Sequence, residues 1–198
     1  MREFILRALK ARTSRFDISN LEDAGKMHIV CDCVVSSLFI ANDIRRDTIF
    51  HAVLEGPSYP PKIISFYGNK LRNLNENQRH IATVINEVLI AGEKLKLNEE
   101  FLIDGIKITK KSFEALVKEK SKNSQLIYLH NKGQDIRNFS FSKDVTFVFG
   151  DYIGMPRKTE KLLDRLGSKK VSVGPQMIFA SQCITLANNE LDRIKQKI

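Results

Sequence analysis

Apolar positions along the chain follow two periods. Short runs with strand character occupy residues 3–9, 48–54, 62–67, 125–130, 145–150 and 170–173. Between them apolar residues recur every three or four positions, as an amphipathic helix requires. Met27, Val30, Cys31, Val34 and Leu38 form one such stripe, and Ile81, Val84, Ile85, Val88 and Leu89 another. Asn75 and Gln78 precede the second stripe as a candidate cap pair. Asp104-Gly105, between FLI and IKIT, predicts a tight hairpin. Thr109 is placed to cap a helix running to Lys120, Pro156 to open a further helix and Gly167 to close it. Strands alternating with helices predict an α/β fold with a largely parallel sheet, organised as one domain over residues 1–198. The conspicuous loop at 55–61 reads as a connection inside that domain.

The chain ends on a stripe of its own. Met177, Ala180, Ile184, Ala187, Leu191, Ile194 and Ile198 alternate by three and four residues. The simplest expectation is a helix packed on the domain's own sheet. A stripe this long could also give part of its length to a second subunit.

Composition narrows the class. The 198 residues carry a net charge of +9 and are 42% hydrophobic, which suits a globular chain with a polyanionic partner such as nucleic acid. The apolar run 34–41 is too short to span a bilayer, and the basic N-terminus lacks the apolar core of a signal peptide, so a cytoplasmic protein is expected. Cys31, Cys33 and Cys183 form no C-x-x-C pair, and the four histidines show no metal spacing. Neither a disulfide framework nor a metal site is expected.

Two strand-like runs stop at glycine loops: FVFGDYIGMP at 147–156 and VSVGPQ at 171–176. Neither is a dinucleotide fingerprint or a P-loop. In a parallel sheet such loops lie at the carboxyl ends of strands, where ligands bind. Gly150 and Gly174 would let backbone approach a flat ligand. Only Arg157 follows closely with positive charge, so the apolar flanks Leu129, Val148, Val173 and Met177 suit an uncharged ring better than a triphosphate. Turns and helix caps explain most such glycines equally well.

The two loops, in this order near the C-terminus, resemble the signature motifs of the SPOUT class of RNA methyltransferases. The blocks REFILRALKARTSRFDISNL, MHIVCDCVVSSLFIANDIRRDT and LRNLNENQ further resemble the archaeal tRNA pseudouridine-54 N1-methyltransferases, so the likeness covers essentially the whole chain. The resemblance implies a C-terminal deep trefoil knot, a rare exception to the rule against threaded chains, within about residues 125–198. It also implies a homodimer, and S-adenosylmethionine bound in the knot. Cofactor contacts would come from Leu129, Gly150, Asp151, Gly154, the loop Val173, Gly174, Pro175, Gln176, Met177 and Ile178, and Cys183. Cys183 reads equally as a small buried apolar residue. Asp151 is the one candidate for a catalytic base, with an ordinary loop role as its alternative.

The implied reaction transfers a methyl group to N1 of a pseudouridine in the tRNA T-loop. Uridine is excluded because its N1 already bonds the ribose. The candidate RNA surface is the N-terminal run Arg2, Arg7, Lys10, Arg12 and Arg15, in which Glu3 is the only acid. Arg45 with Arg46, and Lys70 with Arg72 beside Phe66 and Tyr67, form smaller clusters. Two other readings stand beside this one: a related SPOUT enzyme acting on ribosomal RNA pseudouridine, and a basic RNA-binding or assembly protein without catalysis.

Overall fold

The structure, a computed structural model, describes residues 1–195. In chain order the elements are β1 (Arg2–Ala8), α1 (Met27–Leu38), β2 (Phe39–Ile40), β3 (Asp43–Ile44), β4 (Thr48–Leu54), β5 (Lys62–Tyr67), α2 (Gln78–Ala91), β6 (Glu100–Ile103) and β7 (Ile106–Thr109). They continue with α3 (Phe113–Lys120), β8 (Gln125–Asp135), β9 (Val145–Gly150), α4 (Arg157–Arg165), β10 (Lys169–Ser172) and α5 (Ala180–Lys195).

Eight strands form one sheet in the order β10-β8-β9-β1-β4-β5-β7-β6. The first five run parallel. The last three extend the sheet antiparallel. The expected parallel α/β architecture is present, and Asp104-Gly105 turns the β6–β7 hairpin as its sequence predicts.

Strand alternation divides the core. Phe4, Leu6, Phe50, Phe147 and Phe149 point to the face covered by α1, α2 and α5. Ile5, Val53, Ile63 and Val148 point to the face covered by α3 and α4. Both faces are therefore buried, which is why the central strands read as continuous apolar runs. Val148, read above as an apolar flank for a ligand, is fully buried among α3 and α4 residues and cannot serve as one.

Helix boundaries differ from the sequence reading at three points. Asn77, not Asn75, caps α2: its side chain accepts from the Arg79 and His80 amides, while Asn75 Oδ1 accepts from the Asn77 amide and shapes the approach. Ser112, not Thr109, caps α3, because Thr109 is held in β7 opposite Ile63. Met177 lies ahead of α5 and is 84% exposed, so the apolar stripe starts at Ala180. Its middle, Ile184, Ala187 and Leu191, is buried in the core that includes α1, as the simpler expectation for the stripe has it. Ile198 falls outside the described residues.

Candidate active site

Because β10, β8 and β9 are adjacent and parallel, their carboxyl ends share one edge of the sheet. The first glycine loop leaves β9 and the second leaves β10. Leu129, half-buried, lies on β8 between them. The structure thus brings together the two loops and the strand that the sequence reading assigned to one site.

The first loop is braced from within. Asp151 Oδ2 accepts from the Leu9 amide at 2.9 Å, and Oδ1 accepts from the Ile153 amide at 2.9 Å. The Asp151 amide donates to the Arg7 carbonyl at 3.2 Å, and the Gly154 amide to the Asp151 carbonyl at 2.9 Å. A Cβ on Gly150 would lie 2.6 Å from the Gly154 carbonyl carbon, so this glycine is required by the loop's own packing. Gly154 holds a φ of +81°, a conformation that favours glycine. Burial raises the Asp151 pKa above the ordinary value, against the opposing pull of the Ile153 and Leu9 amides. With both oxygens accepting from backbone, Asp151 fits the loop role better than that of a base.

The second loop is open. Ser172 Oγ donates to the Gly174 carbonyl at 2.8 Å and turns the chain out of β10. Beyond that turn, a Cβ on Gly174 would meet nothing within 4 Å. Pro175, Gln176 and Met177 are exposed, and the amides of Gln176, Met177 and Ile178 donate to no acceptor among the described residues. The Phe179 amide is satisfied by Gln182 Oε1 at 3.0 Å, which starts α5. Cys183, in the first turn of α5, is half-buried with its Sγ 4.0 Å from the Ile178 carbonyl. Burial raises its pKa, so the thiol stays protonated, which argues against a nucleophile. Free amides beside space with no side chain are what an aromatic ring edge and its polar nitrogens need, so these residues fit an adenosyl cofactor.

The basic N-terminal run divides in two. Arg2 is 3% exposed, with Nη2 2.8 Å from Asp192 and Nη1 donating to Asn188 Oδ1 at 2.9 Å. It ties β1 to α5 and cannot reach RNA. Arg7 pairs with Glu55 at 2.9 Å and Glu114 at 3.2 Å, bonds Thr159 Oγ1 and stacks over the Phe113 ring. It is a brace as well. A guanidinium this buried must have its charge met by carboxylates, and here those partners lie far away in sequence. Lys10, Arg12 and Arg15 remain exposed on the loop after β1. That loop is clamped to the 55–61 loop by Thr13 N to Pro57 O at 2.8 Å and Gly56 N to Ala11 O at 2.9 Å. Its start is joined to the first glycine loop through the Leu9–Asp151 bond. Arg45 also pairs inward, with Asp192 at 2.7 Å, and Arg46 donates to the Gly68 and Leu71 carbonyls. Among the described residues no group of three or more His, Cys, Asp or Glu side chains could hold a metal ion. None of the described helices is long and apolar enough to cross a membrane.

A mostly parallel sheet covered on both faces, with two glycine loops leaving neighbouring strands at the same edge, defines a doubly wound α/β protein, a class in which ligands bind at the carboxyl edge. A solved structure titled Archaeoglobus fulgidus Nep1 bound to S-adenosylhomocysteine shares the fold, with a TM-score of 0.64, 15% identity and 98% of each chain covered. A family model described as "Putative SAM-dependent RNA methyltransferase" matches residues 1–196, and the chain belongs to that family. Relatives named tRNA (pseudouridine(54)-N(1))-methyltransferase include one from Methanococcus maripaludis, 37% identical over 98% of this chain and 100% of its own length. Another, from Methanocaldococcus jannaschii, is 38% identical over 98% of this chain and 97% of its own length.

Proposed function

We propose that the protein is an S-adenosylmethionine-dependent enzyme that methylates N1 of pseudouridine 54 in the T-loop of tRNA. The observation that carries this reading is the end-to-end similarity to relatives of that name, 37–38% identical over 98% of the chain. The open second loop supports it, because its free amides and missing side chain lie where the cofactor's adenine would sit. Bound there, S-adenosylmethionine supplies an electrophilic methyl group. The chain's part is to seat, align and desolvate. Loop 173–178 offers backbone donors, Leu129 and Cys183 offer apolar wall, and the braced first loop fixes the opposite side. Neither Asp151 nor Cys183 provides a free base. Lys10, Arg12 and Arg15 stand at the same edge and would hold the T-loop phosphates.

Three further features belong to this reading. The first is the trefoil knot. Its support is that β10 pairs with Ile127 and Tyr128 and then, after a jump in register, with Gln134 and Asp135. The backbone of Gly133 there passes so close to Val171 that no Cβ would fit. The second is a homodimer, supported by the exposed apolar side chains Tyr152, Ile153, Met177 and Phe179 on the two glycine loops and their continuation. The third is a cytoplasmic site of action, where tRNA substrate is found.

Two transcripts test the chemistry. A tRNA with uridine at position 54 has no hydrogen or free valence at N1 and is expected to be inert. The same transcript treated with a pseudouridine synthase is expected to accept one methyl group, located by mass mapping. Binding should change little between them, because most contacts would be to phosphate and shape. Methylation of the uridine transcript would rule out N1 chemistry.

A further inference from the structure

Helices α3 and α4 lie side by side on one face of the sheet and both run from its carboxyl edge towards its amino edge. Their buried positions are Phe113, Leu116 and Val117 on α3, and Thr159, Leu162 and Leu163 on α4. Apart from Ala115 the rest of each helix is charged, and in sequence the acids look able to cancel the bases. The structure separates them. Glu114 is turned inward onto Arg7 at 3.2 Å, and Glu119 is held by Lys111. Glu160 accepts from the Tyr128 hydroxyl at 2.8 Å, and Asp164 pairs with Lys170 at 3.4 Å. Every acid on the two helices is thus committed to a partner off its own helix.

Of the cations only Lys120, the last residue of α3, is committed among the described residues, to Glu3 at 2.6 Å. Lys118 on α3, Lys122 just past its end, and Arg157, Lys158, Lys161 and Arg165 on α4 are all exposed. Among the described residues none of the six forms an ion pair. On α4 the four fall within about 100° of helix circumference, while Glu160 and Asp164 occupy the flank nearer β8 and β10. The row extends over the ~13 Å length of a nine-residue helix. It begins three residues past Gly154, so one end abuts the candidate active site.

We propose that this α3–α4 face is a track for the phosphate backbone of the RNA substrate, leading away from the methyl-transfer site. The proposal rests on the RNA-methyltransferase reading above. A row of uncancelled cations matches repeating phosphates. An anionic membrane is the other polyanion of this kind, but it would also take apolar side chains. The large exposed apolar residues next to α4 in sequence, Tyr152 and Ile153, belong to the first glycine loop, and neither helix contributes one.

The test compares the full-length protein with a Lys158→Ala/Lys161→Ala/Arg165→Ala variant. Alanine favours helix, and all three positions are exposed, so α4 is retained. Binding to tRNA is measured across a salt series. The variant is expected to lose roughly tenfold or more in affinity at about 0.1 M salt, and its log–log salt slope to become shallower by about 2–3, one increment per lost phosphate contact. S-adenosylmethionine binding by calorimetry should be unchanged. A control variant, Lys94→Ala/Lys96→Ala, in the exposed segment after α2, should leave the slope unchanged. An unchanged slope in the triple variant, with normal wild-type binding to tRNA, overturns the track and leaves the enzyme reading standing. Wild-type protein that binds no tRNA overturns the enzyme reading and the track together. Phosphatidylserine–phosphatidylcholine vesicles that bind the wild type and not the triple variant, with tRNA binding equal in both, assign the face to a membrane and overturn the track.

Discussion

The two glycine loops differ in what their glycines are for. In the first, Gly150 has no room for a side chain because the Gly154 backbone occupies that space, and Asp151 holds the loop with both carboxylate oxygens. Its shape is an internal matter of packing and hydrogen bonds. In the second, Gly174 faces open space and three successive amides lack partners among the described residues. Backbone donors left unmet by protein are met by solvent or by a ligand, so the second loop is the one with backbone donors available to the proposed cofactor. A glycine that looks equivalent in sequence can therefore be required by packing in one place and face open space in another.

The largest effect expected is that of Gly150→Val. The new Cβ would sit 2.6 Å from a backbone carbon that cannot move without breaking the Asp151 turn. Overpacking of this kind costs about 1–3 kcal/mol. Chemical denaturation should show the loss, and calorimetry should show that cofactor binding goes with it. Even Gly150→Ala should share much of the cost, since the clash begins at Cβ. An alanine variant of wild-type stability would mean that the loop is not packed as described.

Gly174→Val should separate the two properties. Thermal unfolding should match wild type, because the added atoms meet no protein neighbour within 4 Å at Cβ. Affinity for S-adenosylmethionine should fall roughly tenfold or more, equivalent to about 1.4 kcal/mol or above. Wild-type affinity in a folded Gly174→Val protein would place the cofactor elsewhere, and the contrast between the loops would lose its functional meaning.

The same contrast explains what the sequence could and could not reveal. Alternation and period are local properties, so the runs that became β1, β4, β5, β8, β9 and β10 are readable, as is the Asp104-Gly105 hairpin. So is the glycine-closed end of α4, where Gly167 has a φ of +77°. Which asparagine caps α2 is less readable, because Asn75 and Asn77 are chemically alike and the choice rests on the path of the preceding turn. Charge is the least readable. Arg2 and Arg7 look like free cations in the first fifteen residues, yet their partners are Asp192 and Glu114. Conversely, Lys158, Lys161 and Arg165 look cancelled by Glu160 and Asp164, until Tyr128 and Lys170 take those acids away. Local pattern shows how many charges there are, and only tertiary pairing shows which remain free.

A smaller effect sharpens the description of the first loop. Asp151→Ala removes the acceptors of the Leu9 and Ile153 amides. Leaving such donors unmet costs about 1–3 kcal/mol where water cannot replace the acceptor. Asp151→Asn keeps one acceptor and should keep most of that stability. If Asp151 is a brace, methyl transfer by the asparagine variant should fall by less than roughly tenfold, below the usual range for loss of a general base. A loss of roughly a hundredfold or more, with stability retained, would make Asp151 the base.

The smallest effect is a dependence on pH that only the first loop can show. The second loop, residues 173–179, contains no titratable side chain, whereas Asp151 does titrate and its folded pKa is raised by burial. For an acid raised in this way the protonated form is favoured in the folded state, and ionisation works against folding. The resulting stability is fully present below the unfolded value of 3.8 and is lost as pH rises through the folded pKa. Other acids titrate in the same region, Glu3 with a pKa lowered to about 2 among them, so the comparison must be a difference between variants. Subtracting the unfolding free energy of Asp151→Asn from that of wild type cancels those shared terms. The difference should move in favour of wild type as pH falls through the Asp151 pKa and level off below 3.8, where the carboxylic acid and the amide are both neutral. The same subtraction for Gly174→Val should give a line independent of pH. A flat difference for Asp151→Asn would mean that its carboxylate is not penalised by burial, and the two loops would then differ in packing alone.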